Sequence, residues 1–312
     1  MENVDVHQHL LSEPLIAELA RRRRPPALVR RREGWTFRVA GEPDSVLSFD
    51  ATNVALRSVE LRRENIDRAL VALSAALGIE TLPAEEAWPL LEAHYLGIET
   101  LPAGFGGWGA VQLQAPDPAE VDVAITRGCV GISLPATALA TPDALERVGP
   151  LLAQLEIRDA PLFVHPGPVT SSGGAGAAAS LPLWWPALTD YVAQMQAAWF
   201  SFLHAGRRAH PRLRVLFAML AGGAPLQLER YVARSGAAPV APDPLVFYDT
   251  SSYGPRMLEA MIVAVGAGQL VFGSDRPVVN APAPQSDAAL GRALLSTNPQ
   301  RLFNPGQEGE LR

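Results

Sequence analysis

A closed (β/α)8 TIM barrel of the α/β class, with a small N-terminal insertion, is the fold the sequence predicts. Three observations predict it. Short, almost continuously apolar runs of mostly five to seven residues recur along the chain, as strands of a parallel sheet buried on both faces do. Helix-like stretches lie between most of them, and strand–helix alternation repeated about eight times is the signature of a barrel. The length, 312 residues with 48% hydrophobic and 19% charged, suits one such barrel and excludes a largely disordered chain.

The elements follow in order. A first strand is read at 4–9, ending in polar residues, and a helix at 16–24 runs into Pro25-Pro26. Residues 34–49 mix aromatic and β-branched residues with glycine and proline, which predicts a small hairpin within an insertion at about 30–60. Further strands are expected at 69–73, 108–113, 130–134, 161–165, 214–219, 245–250 and 270–275, with helices at 118–127, 142–155, 187–204, 227–234 and 255–265. The barrel domain is thus set at 1–303, and 304–312, with Gly306 and Gly309, is a fraying tail. The competing architecture, an open doubly wound sheet, needs a phosphate-binding turn near its start. Gly104, Gly106 and Gly109 have the G-x-G-x-x-G spacing but precede a strand instead of following one. The glycine-rich run 173–179 follows a strand, lacks the acidic residue expected further on, and reads as a flexible loop over the barrel mouth.

Composition narrows the chemistry. The net charge of −6 disfavours a dedicated nucleic-acid binder. Cys129 is the single cysteine, so intrachain disulfides and cysteine clusters for zinc or iron–sulfur are excluded. All 26 basic residues are arginine; this removes lysine Schiff bases, the Walker phosphate loop and a carbamylated-lysine metal bridge. The first residues carry no basic segment leading into a long apolar one, and no apolar run reaches about 18 residues. A cytoplasmic protein is expected, with a small-molecule substrate and neither nucleic acid nor membrane as partner.

Six histidines are available: His7, His9, His94, His165, His204 and His210. His7 and His9, at i and i+2 on a strand, share a face and form a natural pair of metal ligands. His165 ends one apolar run and Asp275 another, and barrel active sites are built at the carboxyl ends of strands. Three imidazoles and a carboxylate at the ends of the first, fifth and eighth strands make a four-ligand set for one divalent ion, Zn2+ first, with Fe2+, Mn2+ or Co2+ as alternatives. His94 lies on a helix-like insertion and could reach over the mouth. His204 and His210 precede the sixth strand and are weaker candidates. Arg276 is read as a structural ion-pair partner, Cys129 as a small core residue, and Arg30–Arg32 as a solvated loop or an anion-attracting lip. Trp184, Trp185 and Trp199 either pack helix on barrel or form a lid or a contact between copies.

A resemblance covers residues 4 to 303. Val4-Asp-Val-His7-Gln-His9, Phe163-Val-His165-Pro-Gly, Leu220-Ala-Gly-Gly-Ala-Pro225, Tyr248-Asp-Thr-Ser-Ser-Tyr253, Phe272-Gly-Ser-Asp275-Arg-Pro277 and Thr297-Asn-Pro-Gln-Arg-Leu-Phe303 occur in this order. Together they resemble the amidohydrolase-related metal enzymes of the aminocarboxymuconate-semialdehyde decarboxylase type. The resemblance implies a mononuclear metal, often zinc, held at His7, His9, His165 and Asp275. The chain departs from the family at Met219, where a histidine usually ends the sixth strand. A thioether has no proton to give, and general acid–base help is worth about 10²–10⁴-fold.

The expected function is a metal-dependent hydrolase or non-oxidative carboxy-lyase acting on a small organic acid or carbonyl compound. Asp275 serves as ligand and proton acceptor, and a homodimer is the candidate assembly. The reading from a different class is a catalytically impaired barrel, in which Met219 leaves a vestigial or ligand-binding site.

Overall fold

Residues 1–32, 34–169, 181–279, 282–285 and 287–304 are described by a computed structural model. Eight short parallel strands form among the described residues, all but the third on the apolar runs: β1 Val4–Gln8, β2 Arg68–Val71, β3 Phe105–Gly107, β4 Ile132–Pro135, β5 Leu162–His165, β6 Val215–Phe217, β7 Val246–Asp249 and β8 Leu270–Val271. β1 pairs with β2 and β2 with β3, while β4 to β8 form one run of five. Two seams close the ring. Gly109 bridges Ile132 beyond β3, and Gln8 bridges Arg276 beyond β8. Backbone bonds from Val6 N to Phe272 O (3.0 Å) and from Asp275 N to His7 O (2.9 Å) fasten the second seam. The result is the expected (β/α)8 barrel.

The third strand lies earlier than the sequence suggests, at 105–107 and not 108–113. Its glycines explain both the position and the misreading. A Cβ on Gly107 would come within 2.5 Å of Ile98, and one on Gly109 within 2.6 Å of the Ala124 methyl. The strand must be stripped of side chains to let neighbouring helices approach, so it carries no apolar pattern to read. The G-x-G-x-x-G spacing is a packing requirement here.

The layer outside the barrel contains the expected helices at Ala119–Thr126, Pro142–Ile157, Asp190–Ser201, Leu228–Ser235 and Pro255–Val265. Others are Val54–Arg63 and Ala84–Glu99. The first helix is Glu13–Arg21, three residues earlier than expected, because the Ser12 hydroxyl caps it and Pro14 occupies its first turn. Strands Ala27–Arg31, Gly34–Arg38 and Ser45–Val46 form a small antiparallel sheet near the N-terminus. Its Leu28, Trp35 and Phe37 pack with Leu15, Leu19 and Leu77 in a second apolar cluster. The glycine-rich run 173–179 and the tail beyond Asn304 lie outside the described residues.

The barrel interior holds Trp108, Phe163 and Phe247, all fully buried, while Phe217, in register with Tyr248, packs outward against Phe202. Cys129 joins this core, and burial pushes its thiol up to about 12. After β6 the chain turns through five consecutive left-handed residues, Met219 to Gly223, with φ between 50° and 74°. Three of them carry side chains, each costing roughly 1–2 kcal/mol in this conformation. The turn is held by Met219 N donating to Asp249 Oδ1 (3.0 Å) and by Gln196 Nε2 donating to Gly222 O (2.8 Å).

Candidate metal centre

His7 lies in β1 and His9 follows it two residues later, so strand alternation sends both rings to one side. His165 is the last residue of β5. Asp275 follows β8 in a left-handed turn (φ 54°), a conformation that aspartate tolerates better than most residues. All four groups are buried.

Their donor atoms converge. His9 Nε2 lies 3.1 Å from His7 Nε2 and 3.2 Å from His165 Nε2. Asp275 Oδ1 lies 3.2 Å from His9 Nε2 and 3.5 Å from His7 Nε2. One ligand atom from each residue falls within 4.8 Å of every other.

The opposite edge of each ring explains why. His7 Nδ1 donates to Asp249 Oδ2 (2.8 Å), His9 Nδ1 to Ala72 O (2.9 Å) and His165 Nδ1 to Pro166 O (2.9 Å). With the Nδ1 protons so placed, the Nε2 lone pairs face one another, which is repulsive. A single proton can sit in one of those contacts and leaves the rest facing. One divalent cation accepts all three lone pairs and the carboxylate oxygen. The donor set therefore fits a metal of the borderline kind that imidazole and carboxylate select.

The electrostatics agree. Burial would lower the His7 pKa, but the Asp249 and Asp275 carboxylates raise it to about 9. Burial, aided by His9 and His7, drives His165 far down. Burial opposes ionisation of Asp275, yet His7 and His9 hold its carboxyl below the usual range. The pocket favours one positive charge and keeps at least one ring neutral and free to ligate.

Asp249, at the end of β7, was given no role by sequence reasoning. It is fully buried; Oδ2 fixes the His7 tautomer, while Oδ1 accepts from Met219 N (3.0 Å), Ser251 N (3.0 Å) and Ser251 Oγ (2.5 Å). The signal for it existed, because it closes the apolar run 245–248 as Asp275 closes 270–273. It binds the centre to the left-handed turn at Met219, which is buried with its backbone N–H committed to Asp249.

The other histidines lie elsewhere. His94 does not reach over the mouth: its Nε2 donates to Trp108 O (3.0 Å) inside the protein, and burial lowers it to about 4. His210 sits 3.6 Å from Glu156 between helices, and His204 belongs to the turn Phe202–Gly206; neither joins the cluster. Arg276 makes an ion pair with Glu64. Trp199 is buried and donates to Tyr248 Oη (2.9 Å), whereas Trp184 and Trp185 are exposed.

A pocket of about 150 Å³ opens beside His9. A larger depression of about 330 Å³, lined by Val4, Arg68 and Phe303 among others, lies at the opposite end of the barrel. Of these two, the smaller one touches the centre, at His9.

No protein-family model matches the chain, and no characterised protein matches it in sequence. Solved structures do. IDCase of Metarhizium anisopliae, in apo form, is similar with a TM-score of 0.76 and 18% identity over 97% of each chain. A 2,6-dihydroxybenzoate decarboxylase from Rhizobium gives 0.69 and 18% over 97% of this chain and 98% of that one. A 5-carboxyvanillate decarboxylase from Novosphingobium aromaticivorans, complexed with manganese and 4-hydroxy-3-methoxy-5-nitrobenzoic acid, gives 0.71 and 16% over 97% and 96%. The chain shares their fold. At this level of identity the likeness speaks for the barrel and its strand order. No helix among the described residues is long and apolar enough to cross a membrane.

Proposed function

We propose that the chain is a metal-dependent carboxy-lyase acting on a small organic acid, within the barrel domain 1–303. The observation that carries this is the convergence of three Nε2 lone pairs and the Asp275 carboxylate on one buried point. The decarboxylases that share the fold supply the reaction class. His7, His9, His165 and Asp275 would hold the ion, zinc by the imidazole-rich donor set or manganese as in the Novosphingobium enzyme. When bound, a divalent ion acts as a Lewis acid on a carboxylate or carbonyl oxygen.

The chain's own residues do the rest. Asp249, Ala72 O and Pro166 O lock the three rings in the ligating tautomer, as outer partners of metal histidines do. Asp275 stays ionised and can accept a proton at Oδ1.

Met219 favours a second reading. Carbon protonation after loss of CO2 needs an acid, and Met219 supplies none. Hydrolysis, with Asp275 taking the proton of the attacking water, needs only a base. An impaired, ligand-binding barrel is the limit of the same observation.

The deciding experiment is elemental mass spectrometry on protein purified without a histidine tag, followed by turnover on carboxylic acids and lactones. About one divalent ion per chain with CO2 release is the expected result. A chain that neither holds nor takes up zinc or manganese sinks the enzyme reading. Met219→His should raise CO2 release by up to about 10²–10⁴-fold; histidine tolerates the left-handed backbone there better than most residues.

We place a contact between two copies at Leu183, Trp184, Trp185 and Leu188, which are 66%, 56%, 40% and 66% exposed. Sedimentation of Trp184→Ser against the parent tests it; an unchanged mass rules it out.

A further inference from the structure

The helix Val54–Arg63 buries two side chains, Arg57 and, one turn on, Leu61. Arg57 stands where an amphipathic helix calls for an apolar residue, and only 2% of it is exposed. Burying a guanidinium is costly, and an aliphatic side chain would dock the helix at least as well. What the arginine adds is direction. Its Nη1 donates to Gln8 Oε1 (2.7 Å) and its Nη2 to His9 O (3.3 Å), while Nε lies 3.7 Å from the Glu60 carboxylate. Gln8 is thereby fixed in one orientation, because its Nε2 must donate to Asp5 Oδ2 (2.7 Å). The other oxygen of Asp5 accepts from His7 N (3.2 Å) and from Ser274 N (3.0 Å).

These bonds form one buried chain behind the centre. It holds the backbone at His7, at His9 and at the residue before Asp275. It lies where the strand ladder is least regular, since the register between β1 and β2 shifts between Asp5 and Gln8. We infer that Arg57 is a positioning residue for the metal centre: acting through Gln8, Asp5 and the His9 carbonyl, it holds His7, His9 and Asp275 at the separations that one ion needs. The inference rests on the metal-dependent reading above and extends it to a side chain outside the centre. Lysine cannot replace Arg57, because one ammonium lacks the planar fork that meets both acceptors.

Zinc affinity and the visible absorption of the cobalt-loaded protein test this. Arg57→Met should weaken zinc binding about tenfold or more and shift the cobalt bands; Arg57→Lys should recover little of either. Gln8→Met should resemble Arg57→Met, and the double variant should lose less than the sum of the two. Leu61→Ala removes the other buried side chain of the same helix. It should lower the thermal midpoint and leave zinc affinity and the cobalt spectrum unchanged. Parental affinity and spectrum in Arg57→Met overturn the inference, and so does an equal loss in Leu61→Ala, which would make the role one of stability alone. If Arg57→Met fails to fold, Gln8→Met decides by the same criterion. A parent chain that takes up no metal removes the functional reading by itself. The role of Arg57 is then read on the metal-free protein from the histidine ring signals in ¹⁵N–¹H NMR. In Gln8→Met those of His7 and His9 should move while those of His94 stay; unmoved His7 and His9 signals refute the inference.

Discussion

The two ends of the barrel are built on opposite terms. At the floor, where strands begin, several buried polar groups find partners. Ser296 Oγ donates to Asn3 Oδ1 (2.6 Å), Asn298 Nδ2 donates to Ala267 O and Leu270 O (2.8 and 2.7 Å), and Arg214 Nε donates to Leu302 O (2.7 Å). At the mouth, lone pairs face each other at 3.1–3.2 Å, and five residues in a row are left-handed. Glu80, after β2, is buried with neither carboxyl oxygen hydrogen-bonded among the described residues. Strained groups persist where the surrounding structure holds them, and they cluster at functional sites. The strained turn and the facing lone pairs lie at the mouth, on the side of the metal cluster.

That contrast can be broken experimentally, beginning with the largest effect. Asp275→Asn should lower turnover by about 10²–10⁴-fold and reduce metal retention, with the thermal midpoint nearly unchanged. Full activity in this variant would remove Asp275 from the centre. Next, Asp249→Asn should weaken metal affinity about 10–100-fold by freeing the His7 tautomer. Its counterpart at the floor, Asn298→Ala, should cost about 1–3 kcal/mol of stability and leave metal affinity alone. If the two variants exchanged phenotypes, the division between floor and mouth would be wrong.

Glu80 sharpens the same point with pH. Burial raises its carboxyl to about 8 from an ordinary 4.5. Between those values the folded chain keeps a proton that the unfolded chain has released. Stability therefore falls as pH rises from about 4.5 to about 8, and remains low above that. Glu80→Met should flatten this slope and gain about 2–4 kcal/mol in alkaline buffer. Urea unfolding on both sides of the window measures it. An unaltered slope would show that Glu80 is not the source.

Much of this molecule is legible in its sequence, for physical reasons that also explain the gaps. Strands buried on both faces need continuous apolar residues, so seven runs stand out; β3 does not, because Gly106 and Gly107 must make room for Arg68, Leu70 and Ile98. His7, His9, His165 and Asp275 are visible as polar residues closing apolar runs, and the structure gathers them. Asp249 sends the same signal, but nothing in the chain alone says that it faces the His7 Nδ1 atom. The turn at Met219–Gly223 is hidden because only two of its five residues are glycine. His94 reads as able to reach over the mouth because it lies on a helix-like insertion; its partner, the backbone carbonyl of Trp108, leaves no mark in sequence.

The seam between β1 and β8 has a kinetic meaning. Ser274 N donates to Asp5 Oδ1 at 3.0 Å across 269 positions, and Asp275 N meets His7 O beside it. His7, His9 and Asp275 thus come from the first and last strands and become neighbours only when the ring shuts. A chain emerging from the ribosome carries three of the four donors long before the fourth is made. Contacts so distant in sequence form late. Metal capture would then time the final step of folding, and an ion that recognises only the closed ring would pull the equilibrium towards closure by mass action.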